Sequence, residues 1–242
     1  VAFTPDEEIG RSSDLFDVHA FDADFAYTLD GDAVGGLEYE NFNAANAGII
    51  FQGRGTHTGS AKNRMINALT IAAEWQQLLP QAECPECTEG YEGFYHVHKM
   101  SGDVEQVTMH MLLRDHDRAG LEKRKNLLYS MERFFNEKYG PDTVRLLIKD
   151  RYYNMREKIE PVMYIVDIAK KAMREAGNEP ICKAIRGGTD GARLSFMGLP
   201  CPNLFTGGLN FHGRYEFLPV PSLLKAAETV IGIAREAGKL KK

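Results

Sequence analysis

Acidic residues and one histidine follow three strand-like runs of the sequence, and their types suit a metal site. Glu7 and Glu8 lie in "FTPDEEIG", Asp30 and Asp32 in "AYTLDGD", and His212 in "TGGLNFHGRYEF". Carboxylate and imidazole groups are ligands that divalent metals such as zinc accept in proteins. We therefore interpret Glu8, Asp30 and His212 as a partial set of metal ligands, with an ordinary acidic turn as the alternative for "LDGD".

Glu7 and Glu8 are neighbours, and their roles can differ. Adjacent side chains of an extended segment point in different directions, so one carboxylate can bind the metal while the other removes a proton from water. The apolar run 1–3 is predicted to be a buried strand that is ended by Pro5. The two glutamates would then lie at the carboxyl end of a strand, the edge at which α/β sheets bind ligands.

Three basic residues lie in segments that could bind an anion. His57, in "GRGTHTGSAKNR", precedes a predicted helix, and helix N-termini favour negative charge. Arg186, in "IRGGTDGARLS", precedes two glycines and Thr189, a predicted N-cap residue. A loop hydrogen bond for His57 and a plain strand-to-helix turn for Arg186 are the alternatives. For Arg114, in "LLRDHD", a solvated surface charge is favoured over a carboxylate-binding role.

The cysteines form one close pair and two isolated positions. Cys84 and Cys87 belong to "CPEC", whereas Cys182 and Cys201 stand alone. A structural zinc site would need a second close pair of cysteines or histidines, which neither isolated cysteine supplies. We interpret Cys84 and Cys87 as two thiols in a proline-containing loop, with a metal site or a disulfide as the alternatives.

The composition is that of a globular protein. Apolar residues make up 43% and charged residues 26% of the 242 residues, and the net charge is −5. This charge disfavours an extended phosphate-binding surface, so we expect no nucleic acid partner. No apolar run is long enough to span a membrane, and the first residues lack the features of a signal peptide. We therefore expect no membrane partner and a cytoplasmic location.

Residues 45–156 are predicted to form an inserted domain. The run "GIIFQGRG" is typical of a strand, and a helix, a two-stranded hairpin, a long helix and a last strand follow it. In the second hairpin strand, apolar residues alternate with other types at Val107, Met109, Met111 and Leu113, as a half-buried sheet requires. This order of elements is that of a ferredoxin-like domain.

The two flanking segments, 1–44 and 157–242, are predicted to form one α/β domain. Strand-like runs such as "DFAYTLD", "PICKAI" and "CPNLF" alternate there with amphipathic helices. This alternation predicts a mostly parallel sheet covered by helices. The simplest organisation is one α/β domain interrupted by the inserted domain, since insertions are tolerated at surface loops.

Six motifs spread over the whole chain resemble the peptidase T family. These enzymes are tripeptide aminopeptidases within the superfamily of dinuclear zinc aminopeptidases and carboxypeptidases. The motifs, in order, are "FTPDEEIG", "TLDGD" with "GGLEYENFNAA", "GRGTHTGSAKNRMINA", "TEGYEGFYH", "RGGTDGARLS" and "FHGRYEF". The resemblance implies two zinc ions per complete active site, tripeptide substrates, and an inserted lid and dimerisation domain that forms a homodimer.

The resemblance also implies roles for single residues. Glu7 matches the catalytic general base and Glu8 a ligand of one zinc, while Asp30 matches a ligand of the other zinc and His212 the late histidine ligand. Zinc-bound hydroxide, formed with the help of Glu7, would attack the first peptide bond of the substrate. The positions that hold the substrate carboxylate or the developing oxyanion are matched by His57, Arg114, Arg186 and, less closely, Asn154.

The family has further zinc ligands, a His-x-Asp pair and a bridging aspartate, before its Glu-Glu motif, and this chain begins after that point. We therefore expect the catalytic domain to be incomplete here, and this chain alone to bind zinc poorly and to lack turnover. Two other hypotheses remain open. One is a non-catalytic fragment that only folds and dimerises, and the other is a related metal-dependent deacylase or carboxypeptidase.

Overall fold

The computed structural model of the protein describes residues 1–240. Its strands are β1 (Thr28–Gly31), β2 (Gly36–Asn41), β3 (Asn43–Gln52), β4 (Phe94–Gly102), β5 (Gln106–Asp115), β6 (Val144–Tyr152), β7 (Ile181–Ile185) and β8 (Asn203–Phe205). Its α-helices are α1 (Val18–Phe21), α2 (Ala68–Leu78), α3 (Arg118–Tyr139), α4 (Arg156–Ile159), α5 (Tyr164–Glu175), α6 (Asp190–Phe196) and α7 (Val220–Ala237). Short 3-10 helices lie at Thr58–Ser60, Pro85–Cys87 and Glu160–Val162.

The chain divides into two compact units, each of which combines helices with a four-stranded sheet. Unit 1 consists of Val1–Asn41 and the chain from Tyr153 onward, and unit 2 consists of Phe42–Tyr152. The sequence predicts the corresponding boundaries after residues 44 and 156. The α/β class that the sequence predicts is confirmed.

Unit 2 has the strand order β4-β5-β3-β6, and all of its neighbouring strands are antiparallel. Along the chain its elements are strand, helix, strand, strand, helix and strand. This combination of element order and sheet order is the ferredoxin-like arrangement that the sequence predicts. Helix α2 contacts the sheet at β3 and β5, and helix α3 contacts it at β6, β5 and β3.

The core of unit 2 lies between the sheet and these helices. The alternating residues Val107, Met109, Met111 and Leu113 of β5 are all fully buried, as the sequence pattern predicts. Trp75 on α2 is fully buried as well, with its ring 5.6 Å from that of Phe51 and 5.5 Å from that of Phe135. Burial of this apolar surface is the main stabilising contribution in such a domain.

The sheet of unit 1 has the strand order β1-β8-β2-β7. β1 pairs with β8 and β2 with β7 in parallel, whereas β2 and β8 are antiparallel. The carboxyl ends of β1 and β8 therefore lie at one edge of the sheet, and those of β2 and β7 lie at the opposite edge. This topology decides which loops of unit 1 can meet.

The helices of unit 1 pack closely with one another. α5 and α7 make the largest helix–helix contact, and Gly232 of α7 lies opposite Ala172 of α5. A Cβ atom at Gly232 would lie only 3.0 Å from that of Ala172, so a larger residue would push the helices apart. No helix of the described residues is long and apolar enough to cross a membrane.

The strand predicted for residues 1–3 is wrong. These residues form no strand in the structure, and Val1 and Phe3 are almost fully exposed to solvent. A strand requires a neighbouring strand to satisfy its backbone hydrogen bonds, and no strand of the described chain pairs with this segment. Glu7 and Glu8 consequently lie in a loop whose position depends on other contacts.

Candidate active site

Glu7 and Glu8 lie in a tight turn of the loop 4–16 of unit 1. The Gly10 N–H donates to the Glu7 carbonyl at 2.6 Å, and the Arg11 N–H donates to the Asp6 carbonyl at 3.0 Å. Asp6 and Gly10 have φ angles of +64° and +67°. Aspartate and glycine tolerate this left-handed conformation better than most residues, which explains why "PDEEIG" can turn so sharply here.

Hydrogen bonds with side chains of helix α6 hold this loop in place. The Ser12 hydroxyl donates to the carboxylate of Asp190, the first residue of α6. Arg193, one turn further along the helix, donates to the Gly10 carbonyl and to Asp14 Oδ1, the latter at 2.5 Å. The backbone of the Glu7–Glu8 turn is therefore fixed by side chains of α6.

Asp30 and Asp32 lie at the carboxyl end of β1. The loop that follows the neighbouring parallel strand β8 is tied to the same place, because Thr206 N–H donates to the Gly31 carbonyl at 2.7 Å and Gly207 N–H donates to the Asp32 carbonyl at 2.8 Å. Parallel pairing of β1 with β8 thus brings the "TLDGD" and "TGGLNFHGRYEF" motifs to one edge of the sheet.

His212 lies at the tip of the loop after β8. Leu209 and Phe217 pair with each other as an antiparallel bridge at the base of this loop. The His212 N–H donates to the carboxylate of Glu216 at 2.8 Å, and its φ angle is +59°. The Asn210 side chain donates to the Tyr215 carbonyl at 3.1 Å. The loop is therefore closed by its own residues, and it presents the imidazole of His212 to solvent.

The structure brings Glu8 and His212 together, although more than 200 residues separate them in sequence. Glu8 Oε2 and His212 Nε2 are 3.4 Å apart, and both side chains are mostly exposed. Two ligands of one tetrahedral zinc are separated by about 3.3 Å when each bond is about 2.0–2.1 Å long. The types and the spacing of these two atoms therefore fit a shared zinc ion.

Glu7 and Asp30 belong to the same electrostatic environment. Partial burial raises the pKa of Glu7, and the nearby carboxylates of Asp30, Asp190 and Glu8 raise it further, while His212 opposes this. The pKa of Asp30 is also raised, first by loss of solvent and then by Asp190 and Glu8. Carboxylates held this close repel one another, so the region favours a bound cation.

The described residues do not complete a metal site. Among residues 1–240, no group of three His, Cys, Asp or Glu side chains is close enough together to hold a metal ion. Asp30 is near enough to Glu8 and His212 to affect the local charge but does not form a three-ligand group with them. The fit to zinc therefore rests on the Glu8–His212 pair.

Arg186 and Asn154 belong to unit 1, as Glu8 and His212 do. Arg186 directly follows β7, whose carboxyl end lies at the sheet edge opposite Asp30. The Asn154 Oδ1 atom accepts hydrogen bonds from the N–H groups of Asn41 and Arg156 at 3.1 Å and 3.0 Å. The visible contacts of Asn154 are thus structural, and the substrate-binding roles of both residues stay predictions.

His57 and Arg114 belong to unit 2. His57 precedes the 3-10 helix Thr58–Ser60, and its Nδ1 atom accepts a hydrogen bond from Gly59 N–H at 3.1 Å. Arg114 donates to the carbonyls of Ala45 and Leu113 at 3.2 Å and 2.9 Å. Both residues have local hydrogen bonds, and their contact with substrate stays a prediction.

Sequence reasoning missed the contacts that Asp190 and Arg193 make with the loop of Glu7 and Glu8. The segment "RGGTDGARLS" predicts an anion-binding turn capped by Thr189. The structure shows Thr189 at the N-cap without a capping side-chain bond, and Asp190 among carboxylates. The i and i+3 spacing of an acidic and a basic residue on one helix could have indicated that both face the same loop.

Comparison with known proteins agrees with the fold and the motifs. Residues 39–143 match the family described as the M20 peptidase dimerisation domain. The chain is 55% identical to peptidase T of Alkaliphilus oremlandii over 233 residues, which are 96% of this chain and 57% of that protein. It is 58% identical to peptidase T of Parabacteroides distasonis over the same shares of the two chains. The chain thus spans little more than half the length of these relatives.

A solved structure supports the same fold. The aminopeptidase PepT of Bacillus cereus superposes with a TM-score of 0.85, which covers 98% of this chain and 63% of that one. The two sequences are 24% identical in this superposition, so the likeness concerns the fold.

Proposed function

Because the chain is 55–58% identical to peptidase T of two bacteria, we propose that the full-length protein containing it is a member of that family, an aminopeptidase that releases the N-terminal residue from tripeptides. The observation that supports this most directly is the Glu8–His212 pair, whose 3.4 Å separation suits two ligands of one zinc ion, with Glu7 next to it in the chain. The resemblance of the sequence motifs to this family implies the same roles for these three residues.

Glu8 and His212 would hold one zinc ion, and Asp30 would contribute to the second. When bound, zinc polarises the carbonyl of the peptide bond and lowers the pKa of water. The carboxylates that surround Glu7 and Asp30 supply the negative charge that a dinuclear site requires. A dinuclear site would need further ligands besides these, because residues 1–240 hold no group of three potential ligands.

Glu7 would act as the general base. Its side chain is half-buried and adjacent to a proposed ligand, so its carboxylate can accept a proton from water at the reacting centre without itself binding the metal. The contacts from α6 hold the backbone of the turn that carries Glu7. A positioned general base contributes about 10²- to 10⁴-fold to the rate.

Residues other than the proposed zinc ligands would bind the carboxylate and the oxyanion of the substrate. His57, Arg114, Arg186 and Asn154 stay predictions for contacts with the substrate carboxylate or the oxyanion, and the cytoplasmic location is likewise a prediction. We also propose that the protein is a homodimer formed through unit 2, because this unit matches the M20 peptidase dimerisation domain. Sedimentation of the full-length protein tests this, and a monomer at micromolar concentration would contradict it.

The substrate class can be tested by comparing three compounds with the full-length zinc-loaded protein. These are a tripeptide, the same tripeptide with an acetylated N-terminus, and an N-acyl amino acid. We expect rapid release of the first residue from the free tripeptide only, because an aminopeptidase requires the free amine. Faster hydrolysis of the acylated compounds would instead indicate a deacylase or carboxypeptidase.

A further inference from the structure

The segment "CPEC" of unit 2 forms a tight turn with a cysteine at each end. Cys84 precedes the 3-10 helix Pro85–Cys87, and the Cys87 N–H donates to the Cys84 carbonyl at 3.0 Å. A four-residue turn keeps its first and last Cα atoms within about 7 Å, and side chains three residues apart eclipse one another in a 3-10 helix. Disulfides join Cα atoms about 4.4–6.8 Å apart, so this turn has suitable geometry.

The turn is held by contacts on both sides. The Thr88 hydroxyl donates to the Cys84 carbonyl at 2.9 Å. On the other side, the Tyr95 N–H of β4 donates to the Glu83 carbonyl at 2.8 Å, and the Glu83 carboxylate pairs with Arg124. The spacing of the two cysteines therefore depends on fixed contacts within unit 2.

The two thiols lie at the two ends of one turn, and they differ in exposure. Cys84 is partly buried and Cys87 is exposed. The hydrogen bond with Cys87 raises the pKa of the Cys84 thiol, and the carboxylate of Glu86 raises it further. Cys87 is therefore the sulfur that a reagent in solution meets first, and Cys84 is the thiol that reacts second.

A metal site is the competing use of such a pair. Structural zinc needs four protein ligands. Within the part of the chain that the structure describes, no three potential ligands are close enough together to hold a metal ion, and this includes the surroundings of "CPEC". The geometry therefore supports a disulfide bond between the two sulfur atoms rather than a metal site.

We propose that Cys84 and Cys87 form a reversible intramolecular disulfide by exchange with a low-molecular-weight disulfide of the glutathione class. The Cys87 thiolate attacks one sulfur of the reagent, which breaks its S–S bond, forms a mixed disulfide and releases one thiol. The Cys84 thiolate then attacks the Cys87 sulfur and releases the second thiol. Two protein thiols are oxidised, one disulfide is reduced to two thiols, and the two protons leave with them.

The other cysteines supply internal controls. Cys182 is exposed and isolated, so it can form only a mixed disulfide, and Cys201 is buried and should not react. Burial also raises the pKa of Cys201 to about 12. The proposal concerns unit 2 and does not depend on the proposed peptidase activity.

The test uses the 242-residue chain in buffers with increasing ratios of oxidised to reduced glutathione, followed by acid quenching, alkylation and peptide mass spectrometry. We expect a species that lacks two hydrogen atoms, with the disulfide mapped to Cys84 and Cys87. Half of the chains should carry this disulfide at a ratio of oxidised to reduced glutathione at least about tenfold lower than the ratio at which half of Cys182 is modified. The reason is that the second step is intramolecular. Cys182→Ser should leave this ratio unchanged.

Serine variants test the order of the two steps. In Cys84→Ser, the glutathione adduct on Cys87 should accumulate, because no second thiol can displace it. Circular dichroism verifies that the variant is folded. The proposal is overturned if the glutathione adduct on Cys87 accumulates in the unsubstituted chain as much as it does in Cys84→Ser. It is also overturned if Cys84 and Cys87 are oxidised only at the ratio that modifies Cys182.

Discussion

Unit 2 and the acidic loops of unit 1 obtain their geometry in different ways. In unit 2, β3 pairs with β5 along its whole length, and the ring of Trp75 is enclosed by other aromatic rings. In unit 1, Glu8 and His212 lie outside any helix or strand and are placed by loops. Single polar contacts, such as those of Ser12 and Arg193 with neighbouring segments, hold these loops.

This difference indicates whether an amino-acid substitution in each region should affect stability or catalysis. A buried apolar core loses stability when volume is removed, whereas its exposed neighbours matter little. A loop site can lose its catalytic geometry while the fold persists, because a shift of about 1 Å is enough to slow a reaction about 10²-fold. Substitutions in unit 2 should therefore change unfolding, and those in the acidic loops should change turnover.

The largest expected effect on stability is that of Phe135→Ala. Phe135 is fully buried and packs on Trp75, so its removal should lower the free energy of unfolding of unit 2 by about 3–5 kcal/mol. Urea unfolding followed by the fluorescence of Trp75, the single tryptophan, measures this.

The neighbouring Phe134→Ala is the matched control. Phe134 is 50% exposed, and the expected change is within about 1 kcal/mol. Equal losses for the two variants would contradict the description of this core.

Arg193→Ala should affect the proposed activity rather than the fold. Without its bonds to Gly10 and Asp14, the loop that carries Glu7 is less well fixed, so kcat of the full-length protein should fall about 10- to 100-fold. Arg193→Lys should have a kcat between those of Arg193→Ala and the unsubstituted protein. Lysine keeps the positive charge, but it lacks the guanidinium group that donates to both acceptors.

Arg174→Ala is the control for a lost surface arginine. Arg174 is exposed and pairs with Glu179 at 3.8 Å, away from the acidic loops in sequence. Its removal should leave kcat unchanged. If Arg193→Ala changed only the unfolding midpoint, or only KM, Arg193 would not position the turn.

A smaller effect concerns the pH dependence of unit 2. Lys138 and Tyr139 donate to the Glu74 carboxylate at 2.7 Å and 2.8 Å and lower its pKa below the ordinary 4.5. Unfolded Glu74 therefore binds a proton more readily, so this contribution is present above pH 4.5 and is lost as the pH falls through the lowered pKa.

Glu74→Gln should accordingly lower the urea midpoint slightly at about pH 6 and change it less at about pH 3, since exposed pairs contribute little. Glu137→Gln, which removes an exposed carboxylate of α3, controls for the general change of charge. An identical shift of the Glu74→Gln midpoint at both pH values would contradict this assignment.

Much of unit 2 could be predicted from the sequence because its signals are local. The alternation in β5 and the order of its elements follow from the period of a strand and the length of a helix. Residue 134 shows the limit of that approach, since Phe134 and Phe135 look equally apolar in sequence, yet only Phe135 is buried. The distinction depends on the direction in which helix α3 faces the sheet.

The sequence indicates which residue types could form the candidate acidic site, but it does not indicate how the fold positions them. Glu7, Glu8, Asp30 and His212 stand out as potential ligands and bases, yet the predicted strand before Glu7 is wrong. The contacts of α6 with the Glu7 turn join residues about 180 positions apart. No local period encodes such contacts, so they appear only in the folded structure.

The measurement that tests the central claim most directly is the zinc content and kcat of Glu7→Gln and Glu8→Gln in the full-length protein. Glu7→Gln should retain its zinc and lose about 10²- to 10⁴-fold in kcat, because it removes only the base. Glu8→Gln should lose zinc, since Glu8 and His212 are the two proposed ligands of one ion. Asp6→Asn, an adjacent carboxylate-to-amide change, should alter neither quantity. Loss of zinc from Glu7→Gln, with zinc retained by Glu8→Gln, would contradict the account.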